Sequence, residues 1–359
     1  MKKLLFLVMA SALMFACSQS DEPEPAVDNN VPDGSVIFDV SAVNNLNIGN
    51  AARGNIYSQE ATQHVTNVMI HAFMNNGSDY VYSRSYTISG WSDGTTFKSY
   101  EVGDSEKLPQ GNYMFLAIGR DASDNYTVTT PGVGTTYSSM LASVQSSGQE
   151  TEIFAGSVQA QIASKGSRVS IPMTRKVAGV LGYFKNVPQS LNSVPVKYLR
   201  LTVTNSNQQV NLTNGVGINT APTSFNIIDM DLSTQATSNG VYTGNDLSAQ
   251  GVVKVPNSQL SGSFLIPVSG VKLTLALYDA SNNVLQSWVV KDASNNNSDT
   301  FNITANHFYS LGMKKQAGNV NGGTDDPGDD DNPIDLLIDQ NIVVTISPAW
   351  EMMHDLVIQ

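Results

Sequence analysis

The chain of 359 residues contains one cysteine, four histidines and only 14% charged residues. A single cysteine excludes an internal disulfide, so the fold must hold by core packing alone. The histidines His64, His71, His307 and His354 have no second His or Cys at metal-ligand spacing, which leaves no zinc site to expect. His71, placed on a strand face with Phe73, reads as a hydrogen-bonded histidine. There is no Gly-x-Ser-x-Gly elbow, phosphate loop or dinucleotide fingerprint, and no carboxylate pair stands out as a glycosidase pair. Asp325, Asp326, Asp329, Asp330 and Asp331 lack the alternation and closing Glu of an EF-type calcium loop, so they read as a solvated spacer. The expectation is no enzyme, no cofactor and no metal. Cationic surface is also scarce: the formal net charge is −12, and an acidic surface argues against nucleic acid as a partner.

The one long apolar run is at the start. Lys2 and Lys3 precede an apolar stretch ending at Ala16, too short for a transmembrane helix and typical of a secretory signal. Met14-Phe15-Ala16-Cys17 resembles a bacterial lipobox, which makes the Cys17 thiol the expected site of lipidation and the chain's tie to the membrane. The acidic segment 17–34 that follows reads as a tether.

Low charge, abundant Ser, Thr, Asn and Gly, and many short alternating runs point to an all-β extracellular protein. Residues 35–43, SVIFDVSAV, alternate with the period of a half-buried strand. A polar stretch ending in Arg53-Gly54 follows and reads as a cleavable loop. Residues 65–73 and 80–88 form a hairpin around Asn75-Asn76-Gly77. Residues 96–102, 112–119, 152–162 and 168–172 are further strands, while 140–147 reads as a short helix or a loop. The count of about seven suits a Greek-key sandwich. The pattern restarts after Thr174-Arg175-Lys176, dividing the chain into sandwiches at 35–174 and 175–317. In the second, strands are expected at 177–184, 198–204, 251–255, 262–267, 271–278, 284–290 and 307–313. Residues 205–250 are poorly patterned and read as loop, where recognition would reside.

The Gly, Pro and Asp content of 318–333 marks a linker. The appendage 334–359 carries Ile342, Val344 and Ile346 on one face of a strand, Val343 and Thr345 on the other, and Trp350 beyond. A tail this short cannot shield such side chains by itself. It must fold back on its own domain or dock into another subunit, and the linker suggests that the second sandwich does not need it.

The ordered set of Cys17 with its acidic tether, the strand before Arg53, Leu108-Pro109-Gln110-Gly111-Asn112-Tyr113, Met173-Thr174-Arg175-Lys176-Val177-Ala178, His307-Phe308-Tyr309-Ser310-Leu311 and the tail resembles the type V fimbrillins of Bacteroidales, the FimA/FimB-like fimbrial subunits. The resemblance implies two transthyretin-like β-sandwich domains in tandem and export as a lipoprotein to the outer membrane and fimbrium. It implies proteolysis between Arg53 and Gly54, removal of the first strand, and filling of the vacated groove by a C-terminal donor strand of a neighbouring subunit, here Ile342, Val344, Ile346 and Trp350. Partners would then be other copies or related subunits, with the membrane reached through the lipid on Cys17. Anchor subunits of the family keep both first strand and lipid. The competing reading is a monomeric surface lipoprotein that binds host protein or glycan.

Overall fold

The computed structural model describes residues 31, 33–42, 64–92, 95–145, 150–218, 223–245, 247, 255–292, 294–313, 331–339 and 341–347. The expected first strand is present as β1 (Val36–Ala42). It is followed by β2 (Asn67–Asn75), β3 (Tyr80–Ile88), β4 (Phe97–Glu101), β5 (Gly111–Arg120), β6 (Tyr126–Val128), β7 (Leu141–Val144), β8 (Ile153–Ile162) and β9 (Ser167–Arg175). Seven of these run in the order β3-β2-β5-β8-β9-β1-β4. The path folds over where β8 meets β9, which share only the pairs Phe154↔Arg175 and Ala155↔Thr174. Gly156 sits at this corner because a Cβ there would come within 1.9 Å of the Pro172 carbonyl oxygen. The fold-over brings β1 opposite β3 and β5: Phe38 packs 5.3 Å from Tyr86 and 5.1 Å from Phe115 between ring centroids. The β2–β3 hairpin turns at Asn76-Gly77, with Gly77 at φ 99°, the left-handed region that favours glycine.

Further along come β10 (Ala178–Lys185), two short hairpin strands β11 (Ser190–Leu191) and β12 (Val194–Pro195), then β13 (Tyr198–Ser206), β14 (Gln209–Asn211), β15 (Gly217–Ile218) and β16 (Thr223–Asp231). After these are β17 (Thr237–Ser238), β18 (Val241–Tyr242), β19 (Ser258–Leu265), β20 (Val268–Val271), β21 (Leu273–Tyr278) and β22 (Val284–Val289). The last are β23 (Lys291–Asp292), β24 (Phe301–Ile303), β25 (Phe308–Leu311), β26 (Ile334–Asp335) and β27 (Val343–Ser347). One sheet runs β19-β10-β25-β27-β23, with β26 alongside β10, and a second runs β16-β13-β21-β22. A shared core of Val180, Leu201, Leu275 and Trp288 fills the space between them. The protein is therefore all-β, built from packed sheets. One core draws on residues 36 to 173 and another on 178 to 344.

Two expectations change. Residues 141–144 are a strand rather than a helix or a loop, and β7 lies between β6 of the first half and β14 of the second. The stretch read as loop contains the nine-residue β16, paired with β13. Its alternation is broken by a register shift between Leu201 and Thr202 of β13, opposite Ile228 and Asn226, so adjacent Ile227 and Ile228 are both buried. A bulge of this kind hides a strand from a period-two reading.

The antiparallel sheet β15-β14-β7-β6 crosses from one half to the other. A third cluster, with Phe73, Leu116 and Met140 from the first half and Leu181, Val210 and Phe308 from the second, fills the junction. Glu150 lies near this region and is only 8% exposed. Burial raises its carboxyl from the ordinary 4.5 to about 7. Because the folded value is raised, its contribution to stability is complete below about pH 4.5 and disappears as pH rises through 7. Glu150→Gln should therefore stabilise the protein above pH 7 by up to about 3 kcal/mol and flatten the pH dependence between these values. Urea midpoints at pH 4.5 and pH 8 read this directly. Equal midpoint shifts at the two pH values would contradict it.

Candidate functional site

The two strands singled out in the sequence both lie inside sheets. β1 pairs in parallel with β9, Phe38 opposite Val169 and Val40 opposite Ile171. On its other side it pairs antiparallel with β4, Phe38 opposite Tyr100. Val36, Phe38 and Val40 are fully buried and Ala42 is 2% exposed. On the outer face Asp39 accepts a 2.7 Å hydrogen bond from the Arg168 guanidinium, a surface pair of modest value. Among the described residues β4 is the last strand of its sheet and its ladder is made to β1 alone. Removing β1 would therefore empty a groove lined by apolar side chains and also detach β4.

The tail takes the first of the two courses open to it: it folds back on its own chain. β27 lies between β25, antiparallel with Leu311 opposite Val344 and Tyr309 opposite Ile346, and β23, parallel with Asp292 opposite Val344. Ile342 and Val344 are buried in the second core and Ile346 packs against it, while Val343 and Thr345 face outward. The shared face expected from the alternation is present, and it covers the chain's own sandwich. The notion that the second sandwich is independent of the tail gives way for that reason. A further tie that the sequence reading missed lies upstream. β26 pairs with β10, and the buried Asp335 accepts a 2.8 Å hydrogen bond from the Asn186 amide and one from the Leu337 N–H. The Asp339 carboxylate in turn accepts from the Asp335 N–H at 2.7 Å. The spacing of Asp335 and Asp339 is the only signal for this turn.

Thr174-Arg175-Lys176, read as the border between domains, is held in place by buried contacts. Arg175 is 1% exposed and donates to Glu152 at 2.5 Å. Its guanidinium lies 4.9 Å from the Phe154 ring centroid, and Glu152 also accepts the His64 N–H at 2.8 Å. Burial lowers the neighbouring Lys176 ammonium below its ordinary pKa.

His71 is nearly fully buried and hydrogen-bonded to Ser85 at 2.7 Å. Burial lowers its pKa to about 4, so it is neutral at physiological pH. Among the described residues, no cluster of three His, Cys, Asp or Glu side chains could hold a metal, and no helix is long and apolar enough to cross a membrane. Cys17, Arg53, Gly54 and Trp350 lie outside the described residues.

Comparison with known proteins follows the same lines. The family model of the fimbrillin-A associated anchor proteins Mfa1 and Mfa2 matches residues 40–254. Among solved structures, the chain is similar to the fimbrial anchor protein Mfa2 from Porphyromonas gingivalis at 14% identity and a TM-score of 0.42, over 77% of this chain and 90% of that one. It is similar to a candidate cell adhesion protein from Parabacteroides distasonis at 12% identity and a TM-score of 0.47, over 89% and 98% of the two chains. It is also similar to a candidate adhesin from Bacteroides thetaiotaomicron at 17% identity and a TM-score of 0.44, over 72% and 81%. No curated protein matches the sequence.

Proposed function

The chain belongs to the family of the fimbrillin-A associated anchor proteins, and on that premise we propose that it is a fimbrial anchor subunit. In this reading a lipid on Cys17 holds it in the outer membrane, the tether 17–34 spaces it from the lipid surface, and β1 stays in its own sheet. The observation that carries the reading is the placement of β1. It is hydrogen-bonded on both sides, its inward side chains are buried, and among the described residues it is the only ladder partner of β4. Each of Val36, Phe38 and Val40 contributes roughly 1.5–3 kcal/mol by burial, and its loss would also open two sheet edges. A subunit that keeps β1 stays covalently joined to its lipid, which is what an anchor requires. Cleavage between Arg53 and Gly54 would separate the two.

The neighbours of an anchor are other fimbrial subunits. A strand joint supplies the connection: the tail leaves its seat between β23 and β25, and the Ile342, Val344 and Ile346 stripe pairs into the neighbour's sheet, with Trp350 following. Sandwich units at 35–174 and 175–317 and the linker 318–333 are part of the same proposal. No enzyme activity, cofactor or nucleic acid enters it. The family is one of fimbrial structural proteins.

The test is the mature N-terminus, determined by mass spectrometry of protein from the native cell surface. An acylated Cys17 with residues 36–42 still attached is expected, and Cys17→Ala should release the protein from the membrane fraction. A mature chain that begins at Gly54 would exclude the anchor role and restore the stalk-type subunit.

A further inference from the structure

A cleft of about 150 Å³ opens on the face of the β2, β3 and β5 strands that points away from the first core, apart from both β1 and the tail. Its polar floor exists because of a bulge. Residues three apart on a strand normally point to opposite faces. On β3, however, the register against β2 shifts between Ala72 and Phe73, so that His71 lies opposite Ser85 and Phe73 opposite Tyr82. The extra residue turns Tyr82 and Ser85 onto one face, the re-aiming that bulges produce.

The three side chains form a hydrogen-bonded relay. The Ser85 hydroxyl lies 2.7 Å from His71 Nδ1 and 2.9 Å from the Tyr82 hydroxyl. A relay of this kind has two directions. With Tyr82 donating to Ser85 and Ser85 to Nδ1, His71 Nε2 is a donor and the Tyr82 oxygen an acceptor. With the proton on Nδ1 the two ends exchange roles. Among the described residues His71 Nε2 has no hydrogen-bond partner. Either way the cleft offers one donor and one acceptor, and its imidazole is uncharged at neutral pH because burial holds its pKa near 4. The one cation of the lining, Arg120, is paired through Nη1 with the Asp124 carboxylate at 2.9 Å, and the same nitrogen donates to the Tyr126 carbonyl at 3.3 Å, so its charge is offset locally. Met69, Ile118, Val128 and Pro131 supply apolar surface.

The geometry points to a binding site for a single uncharged hydroxylated ring, such as one pyranose, with its hydroxyls on the Tyr82–Ser85–His71 relay and its C–H face on the apolar side chains. A hydroxyl both donates and accepts, so it fits either direction of the relay, whereas a carboxylate or phosphate would meet the lining's one cation already paired with the Asp124 carboxylate. The cleft is smaller than the roughly 300–1,000 Å³ of pockets for drug-sized ligands, which limits the occupant to one ring.

Saturation-transfer NMR with the full chain tests this, using glucose, galactose, mannose and N-acetylglucosamine as neutral probes and glucuronate as the charged one. Transfer to the ring protons of at least one neutral sugar is expected. Ser85→Ala, which cuts the relay, and Tyr82→Phe, which removes one pole, should each weaken that sugar's binding about tenfold, the equivalent of one hydrogen bond. Tyr82→Phe, which keeps the ring against Phe73, should do so with unchanged thermal melting, whereas Ser85→Ala also leaves the buried His71 Nδ1 unpaired and lowers the melting temperature. Absence of transfer to every neutral sugar would overturn the site, as would transfer to glucuronate alone or undiminished binding in both variants.

Discussion

A protein lacking residues 341–359 should melt about 8 °C or more below the full chain, with the loss confined to the sandwich that contains β10 and β25. Ile342 and Val344 are buried in that core, and each contributes roughly 1.5–3 kcal/mol. The ladders of β27 to β23 and β25 are lost as well. Against a total stability of about 5–15 kcal/mol, a loss of roughly 4–6 kcal/mol is a large part of the margin. At about 2–4 °C per kcal/mol for a unit of this size the midpoint shift follows. Val344→Asp should act in the same direction, because it places a carboxylate at a position that is 1% exposed, where an unpaired charge costs several kcal/mol. The experiment also bears on assembly. A synthetic peptide of residues 334–359 added to the truncated protein should restore the lost melting temperature if the seat between β23 and β25 accepts a strand in trans. A truncated protein that melts with the full chain would mean that β27 adds nothing to the fold, and the stored-strand account would fall with it.

The second large effect is expected at the corner between β8 and β9. Arg175→Met alone, or Glu152→Leu alone, should destabilise the protein by about 3–5 kcal/mol, because each leaves the other charge buried without its partner. The pair is nearly sealed, with side chains 1% and 7% exposed, and Glu152 has the further duty of accepting the His64 N–H. The double variant should recover much of the loss, since two apolar side chains in the same volume restore packing without desolvated charge. A double-mutant cycle by urea unfolding measures this. Additive losses in the double variant would show that the two side chains act independently, contrary to the geometry. The consequence for the fold is that Arg175, between two apolar runs, acts as a fastening. It closes the first sandwich at the point where the chain enters the third cluster.

Local pattern determined a good deal of this protein by itself. Strict alternation over residues 36–42 and 342–346 specified strands and assigned their faces, because in an extended chain the side-chain direction depends only on the parity of position. Asn76-Gly77 specified a hairpin because its glycine tolerates a positive φ. The single cysteine excluded an internal disulfide by chemistry alone. Partners were a different matter. That β1 runs parallel to β9, that β4 depends on β1, and that β27 sits between β23 and β25 are choices among many apolar edges of similar composition. Only the tertiary structure decides them, because strand pairing is governed by the packing of distant residues. Where pairing slips by one residue, as at β16 and at Tyr82, parity itself fails as a guide. The same holds for Arg175, whose partner Glu152, 23 positions earlier, is placed against it only by the fold.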